Sequence, residues 1–346
     1  MSKSEALAVA VVGTGRMGRH HARIYHELSD ARLVAVVDSD RERAHAVAKD
    51  FECAAYQSLE ELLDSGESIE AVSVVTPTVH HGEAAAQLLP RKIACLIEKP
   101  LAASSSEAAT IARLAADNAV VCQVGHTERF NPAVRAVSEL NLRPRFIEID
   151  RVAPMSFRSV DVGVVFDLMI HDLDIVLMMC PSPLREVRAV GVGVITERED
   201  VANARLIFED GCVANLTVSR LALKTERKLR VFSESVYLTM DFAKRTGLLM
   251  SMVENREALQ SVREKLRHGE DLSSLDYMSL VKMQPLAMEE EEPLKAELRH
   301  FLNCVRKNER PQVDAEAGRA AVDVAEQVVR ALRSHHWEGF EGSTLL

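Results

Sequence analysis

The chain has 346 residues, with 42 Lys and Arg against 52 Asp and Glu and a formal net charge of −10. At roughly 100–200 residues per domain, the length predicts about two domains of a size that buries a core without metal or disulfide. The acidic balance argues against a nucleic-acid partner and against a polybasic membrane surface, and 47% hydrophobic with 27% charged residues excludes disorder as the dominant state.

The N-terminus runs straight into an apolar strand, too short a lead for a signal peptide. No run of about 18 apolar residues suggests a membrane span, so a cytoplasmic protein is expected. Residues 7–12 form a continuous apolar run, as expected of a strand buried on both faces of a parallel sheet. The run ends at Gly13-Thr14-Gly15-Arg16-Met17-Gly18, after which a helical pattern extends to about Leu28. Residues 33–37 form a second run ending at Asp38, and a helix follows to about Lys49. Further strands are read at 71–75, 93–97 and 120–124, with helices between them and over 106–118. This alternation predicts a doubly wound parallel sheet.

The glycine motif follows a strand, opens a helix and is trailed by an acid at the end of the next strand. That context marks a dinucleotide site. Gly13 allows the tight turn, Gly15 lets the backbone approach a pyrophosphate, and Gly18 lets helix and strand pack closely. The helix N-terminus, with Arg16 and Met17, supplies amide donors to phosphate. Asp38 suits the adenosine ribose hydroxyls and repels a 2′-phosphate, favouring NAD over NADP. Arg41 and Arg43 nearby weaken that preference.

Three clusters follow later strands: Thr76-Pro77-Thr78-Val79-His80-His81, Glu98-Lys99-Pro100 and Gly125-His126. Ligands of open parallel sheets lie at the carboxyl ends of the strands. Thr76, Pro77, His81, Glu98, Lys99 and His126 are therefore candidate cofactor contacts. A lysine directly after a buried strand is a costly place for a charge unless it is used. Further on, residues 162–179 read as one buried apolar helix holding Asp167, His171, Asp172 and Asp174. Asp167 and His171 are four apart and share a helical face, a pairing suited to acid–base chemistry. Lys99, Asp167 and His171 are the catalytic candidates. Lys99, Arg129, Asn131, Arg158 and His171 are the candidates for substrate contact, with arginine suited to a diphosphate.

In the second half, 204–208 and 213–218 flank Asp210-Gly211, a type I′ hairpin signal. Residues 228–232 and 236–242 form another strand pair. A helix is read over 293–307, entered through the acidic run 289–292, and a closing helix over 314–331. Residues 255–288 give no pattern that can be placed, and the tail after Ser334 reads as loop. Cys53, Cys95, Cys122, Cys180, Cys212 and Cys304 show no CxxC or zinc spacing. They read as small buried hydrophobes kept reduced, and no metal site is expected.

With Gly13/Gly15/Gly18, Asp38, Thr76-Pro77, Glu98-Lys99-Pro100 and Gly163…Asp167…His171-Asp172…Asp174 in this order, the chain resembles the Gfo/Idh/MocA oxidoreductases over nearly its whole length. The resemblance implies an α/β protein: an N-terminal Rossmann domain over 1–125 and a C-terminal α+β domain over 126–346 with an open, mostly antiparallel sheet. The second domain would bind substrate and form a homodimer or homotetramer through that sheet. Residues 125–132, with 167–174, are similar to those of the UDP-N-acetylglucosamine 3-dehydrogenase subgroup. Those enzymes oxidise the sugar 3-hydroxyl so that an aminotransferase can install an amine for lipid A assembly. An inositol, free-sugar or UDP-sugar-acid dehydrogenase, or a non-catalytic NAD-responsive regulator, stands as the alternative. Base and electrostatic partner are interchangeable between Lys99 and His171 at this level.

Overall fold

The computed structural model describes residues 6–335 except 158–159, 235, 252–255, 274, 276–280 and 287–289. Its contacts separate two compact units, Met1–Phe130 with Glu291–Glu326 and Asn131–Glu290 with Gln327–Leu346.

The first unit contains β1 (Leu7–Val12), α1 (Arg16–Glu27), β2 (Ala31–Val37), α2 (Arg41–Asp50), β3 (Ala54–Tyr56), α3 (Leu59–Asp64), β4 (Ala71–Val74), α4 (His81–Leu88), β5 (Ala94–Glu98), α5 (Ser105–Asn118) and β6 (Cys122–Gly125). The strands form one sheet in the order β3-β2-β1-β4-β5-β6, and every pair is parallel. The order reverses between β1 and β4, which opens a crevice at their carboxyl ends. Every residue of β1, β4 and β5 is buried, which is why these strands read as unbroken apolar runs. Three helices, α2, α3 and α5, start at side-chain caps: Asp40, Ser58 and Ser104 accept from the amides of Arg43, Glu61 and Glu107.

The chain returns to this unit through α9 (Pro293–Lys307) and the first part of α10 (Ala315–Ser334). This differs from a division at residues 125/126, and burial explains it. Leu294, Leu298, Phe301 and Leu302 of α9 join Leu7, Val9, Ile24 and Tyr25 in one apolar core. The open edge of β6 is covered as well: the Val124 amide donates to the Val313 carbonyl, and Gln123 bridges Asp314. An unpaired edge is thereby closed.

The second unit contains α6 (Pro132–Glu139), β7 (Pro144–Val152), α7 (Ile170–Met179), β8 (Leu184–Val192), β9 (Val201–Phe208), β10 (Val213–Ser219), β11 (Glu226–Ser233), β12 (Val236–Asp241), β13 (Thr246–Ser251), α8 (Arg256–Arg267) and β14 (Lys282–Pro285). Its eight strands run β14-β13-β12-β11-β7-β10-β9-β8, antiparallel except for the β7–β10 pair. Inward residues such as Ala202, Ala204, Leu206 and Phe208 of β9 alternate with outward ones. The β9–β10 hairpin forms as read, but its turn is not type I′. Of the turn residues only Gly211 has positive φ, at 86°, and the Phe208 amide donates to the Cys212 carbonyl. This is a three-residue loop closed by a left-handed glycine. Among the described residues no helix is long and apolar enough to cross a membrane.

Candidate active site

A cleft of about 730 Å³ opens at the carboxyl ends of β1, β2 and β4. Gly13, Gly15, Arg16, Met17, Asp38, Thr76 and Pro77 all line it, joined by Gln57, Ser58 and Leu59 from the β3–α3 segment. The glycines divide the work. Gly13 has φ of +93°, and a Cβ there would lie 2.6 Å from the Val75 carbonyl oxygen. A Cβ on Gly18 would lie 1.7 Å from the Gly13 oxygen, so Gly18 sits behind the loop as a packing residue. A Cβ on Gly15 would meet no protein atom within 4 Å. The free space at Gly15 faces the cleft, not the fold.

Three features fit NAD in this cleft. No side chain caps α1 at Gly15 and its first turn holds no acid, so its leading amides are available to a pyrophosphate. Thr76 Oγ1 is buried and has no hydrogen-bond partner within the protein, so a polar atom of a bound dinucleotide would satisfy it. Asp38, 8% exposed, stands at the end of β2. Its Oδ2 accepts from both the amide and the hydroxyl of Thr14 at 2.8 Å, and Oδ1 accepts from the Asp40 amide at 3.0 Å. Burial pushes the Asp38 carboxyl up, but the Asp40 and Thr14 donors and the Arg43 guanidinium together hold it below the usual range. Asp38 thus ties the glycine loop to the second strand as an anion. Arg43 reaches to 3.5 Å of Asp38 and 3.0 Å of Asp40.

The other sequence candidates of the first unit take different places. His81 is 1% exposed and does not line the cleft, whereas His80 does. The His81 ring spans the loops after β4 and β5: Nε2 lies 3.0 Å from the Thr76 oxygen and Nδ1 lies 3.0 Å from the Pro100 oxygen. Burial pushes its pKa down and outweighs the opposing pull of these carbonyls. A neutral ring has one N–H, so it donates to one of these carbonyls at a time, and His81 stands between the two loops. Glu98 is also buried. His21 Nε2 donates to its Oε1 at 3.2 Å, and the Lys99 amide donates to its Oε2 at 3.1 Å. Burial raises the Glu98 carboxyl, but the His21 and Lys99 contacts bring it below the usual range. Glu98 therefore braces the chain under Lys99.

Lys99 is half-buried directly after β5, where the Lys99–Pro100 bond is cis. His126 is 1% exposed at the end of β6. Arg129 belongs to the short turn Thr127–Phe130. Arg158 lies outside the described residues.

In the second unit, Asn131 caps α6, its Oδ1 accepting from the Ala133 amide at 3.1 Å. Residues 162–179 do not form one α-helix. Val165–Met169 is a π-helical turn, and α7 starts at Ile170. The cause is a tertiary contact. Glu199 Oε1 lies 2.0 Å from where a Gly163 Cβ would be, and accepts from the Val165 amide at 3.2 Å. Arg220 also donates to the Val162 carbonyl. A π turn at such a position often marks a functional site. Asp167 sits in this turn and His171 in the first turn of α7, and both are half-buried. Asp172 is fully buried instead, receiving Arg151 Nε at 2.9 Å and Nη2 at 2.7 Å. It is a structural ion-pair partner.

His21, Glu199, Arg220 and the 57–59 wall are absent from the sequence reading. His21 left a trace, because it lies on the buried Gly18–Ala22–Tyr25 stripe of α1. Glu199 and Arg220 left none, since their roles arise from contacts 34 and 58 positions away.

The parallel sheet, the reversal of strand order and the uncapped glycine-loop helix define a dinucleotide-binding Rossmann unit. Residues 7–126 match the model of the oxidoreductase family with an NAD-binding Rossmann fold, and 148–238 match the GFO/IDH/MocA C-terminal domain. The chain belongs to the Gfo/Idh/MocA oxidoreductase family. It is 32% identical over 323 residues to a UDP-N-acetylglucosamine 3-dehydrogenase of Acidithiobacillus ferrooxidans, covering 93% of this chain and 96% of that protein. A solved structure of the enzyme of that name and organism superposes with a TM-score of 0.84 at 31% identity, covering 95% and 98% of the two chains. A scyllo-inositol 2-dehydrogenase (NAD(+)) of Bacillus subtilis is 29% identical over 61% of this chain and 66% of that protein.

Proposed function

We propose that the chain oxidises the 3-hydroxyl of UDP-N-acetylglucosamine to a 3-keto sugar. The observation that carries this reading is similarity along almost the full length of both chains to a UDP-N-acetylglucosamine 3-dehydrogenase, at 32% identity. The scyllo-inositol enzyme matches over a smaller part. NAD, when bound, accepts the hydride. The amides at Gly15, Arg16 and Met17 hold its pyrophosphate, and Asp38 its adenosine ribose. In this reading His171 takes the proton of the sugar hydroxyl, with Asp167 fixing its orientation. Positioned acid–base help of this kind is worth about 10²–10⁴-fold. Lys99 donates to the reacting oxygen and stabilises developing alkoxide charge. Arg129 and Asn131 are assigned to substrate contact, although Asn131 already spends its Oδ1 on the α6 cap. We also assign the outer face of the eight-stranded sheet, with the neighbouring rings of Phe146, Phe232 and Tyr237, to subunit contact. Light scattering reads this directly as a dimer or tetramer against a monomer.

The test is NADH formation by the purified protein with NAD and UDP-N-acetylglucosamine. UDP-glucose, UDP-N-acetylglucosaminuronic acid, N-acetylglucosamine and myo-inositol serve as controls, with a carbonyl trap to draw the keto product forward. Selective turnover of UDP-N-acetylglucosamine supports the proposal. Faster turnover of myo-inositol would replace it with a polyol dehydrogenase. Tight NAD binding without turnover of any of them would favour the NAD-responsive regulator.

A further inference from the structure

We propose that Cys180 and Cys212 form a thiol pair that closes reversibly to a disulfide under a hydroperoxide, an oxidant-responsive staple at the far end of the helix that carries His171. The two sulfurs lie 3.1 Å apart, although the residues are 32 positions apart in sequence. Both are buried, at 3% and 1% exposure. Cys180 is the C-cap of α7, with its amide donating to the Val176 carbonyl. Cys212 closes the β9–β10 turn, with its amide held by Asp210 Oδ1 and its carbonyl by the Phe208 amide. A disulfide of about 2.05 Å therefore needs an approach of roughly 1 Å between two side chains on anchored backbone.

One member of the pair, Cys180, also borders open space. Cys180 lies in the wall of a cavity of about 550 Å³, together with Asn141, Arg143, Arg145, Met178 and Asp210. A small hydroperoxide can enter such a space. The S–H···S hydrogen bond between them, in which either sulfur can donate, favours loss of one proton from the pair, and the Val213 amide and Arg145 favour the charge on Cys212. The same hydrogen bond raises Cys180. Burial raises Cys53, Cys95, Cys122 and Cys304, whereas Cys180 and Cys212 have their sulfurs in hydrogen-bond contact with each other. Thiolate character selects the cysteine that peroxide attacks.

In the first step the Cys212 thiolate attacks one peroxide oxygen. The O–O bond breaks, a sulfenic acid forms on Cys212, and water or an alcohol leaves. In the second step Cys180 sulfur attacks Cys212 sulfur. The S–O bond breaks, the S–S bond forms, and hydroxide leaves as water with the proton from Cys180. Two thiols are oxidised and one hydroperoxide is reduced; an external dithiol reverses the change.

The experiment treats the NAD-loaded full chain with one equivalent of hydrogen peroxide, alkylates it under denaturing conditions and maps the peptides. The expected product is a Cys180–Cys212 cross-linked peptide lacking two hydrogens, with the other four cysteines alkylated. Dithiothreitol restores both thiols. Closing a loop of this length raises the thermal midpoint by several degrees. In Cys180→Ala, dimedone captures Cys212 as the sulfenic acid. Recovery of both residues as free thiols, oxidation of half-buried Cys53 ahead of them, or any other pairing would overturn the proposal. The mapping on unaltered protein does not depend on a variant folding.

Discussion

Gly15→Ala separates a glycine kept for a ligand from glycines kept for the fold. At φ −61° and ψ −166°, Gly15 has a backbone that alanine adopts, and the new methyl would meet no protein atom within 4 Å. The protein without cofactor should gain up to about 1 kcal/mol, because alanine narrows the unfolded ensemble. NAD binding should weaken, because the methyl stands where the pyrophosphate approaches the first amides of α1. Losing one hydrogen bond to a charged group costs about 1.5–3 kcal/mol, or roughly 10- to 150-fold in Kd. Gly18→Ala should behave oppositely. Its methyl would lie 1.7 Å from the Gly13 oxygen, so loop or helix must move, at about 3 kcal/mol or more. Urea unfolding without cofactor and calorimetric titration with NAD measure the two effects separately. A Gly15→Ala protein that binds NAD normally, or that unfolds as readily as Gly18→Ala, would show that Gly15 is not kept for the ligand.

Lys99→Met, Asp167→Asn and His171→Gln should each lower kcat by about 10²–10⁴-fold while NAD affinity stays within a few-fold; parallel losses in both would assign them to cofactor binding instead. Asp172→Asn removes a charged partner of buried Arg151 and should cost about 3–5 kcal/mol of stability in urea unfolding, with NAD affinity unchanged in the folded fraction. A variant as stable as the parent would show that the pair is dispensable. Asp200 is held down to about 2, where burial opposes but the amides of Thr196, Ile195 and Val194 prevail. Its contribution of about 2 kcal/mol is present above the unfolded value of 3.8 and is lost as pH falls through about 2. The stability gap between parent and Asp200→Asn should therefore shrink from pH 6 to pH 2, and a gap that stays constant would contradict this ionisation.

The strands of the parallel sheet were legible because burial on both faces leaves no polar interruption, as in β1 and β5. The β3 strand has three residues and α3 six, too few for a period to register. In β7 and β8, charged residues such as Glu148, Arg151, Glu186 and Arg188 broke the apolar signal, and only the sheet gives them partners or an outer face. The glycine loop, Asp38 and Thr76 are local features, and the sequence placed them in one cleft. His81 and Glu98 carry the right chemistry but face inward, because main-chain carbonyls and His21 claim them first. The π turn was illegible for a related reason. Apolar spacing over 162–179 suits an α-helix, and the Glu199 carboxylate that changes its first turn lies on another strand connection.

The proposed reaction moves a hydride from the sugar carbon that bears the 3-hydroxyl. UDP-N-acetylglucosamine deuterated at that carbon, incubated with the protein, NAD and a carbonyl trap, tests it by the mass of the reduced nicotinamide. The account predicts NADH carrying one deuterium and a turnover slower than with the protiated sugar when hydride transfer limits the rate. Reduced cofactor without deuterium would place the oxidised carbon elsewhere and contradict the claim.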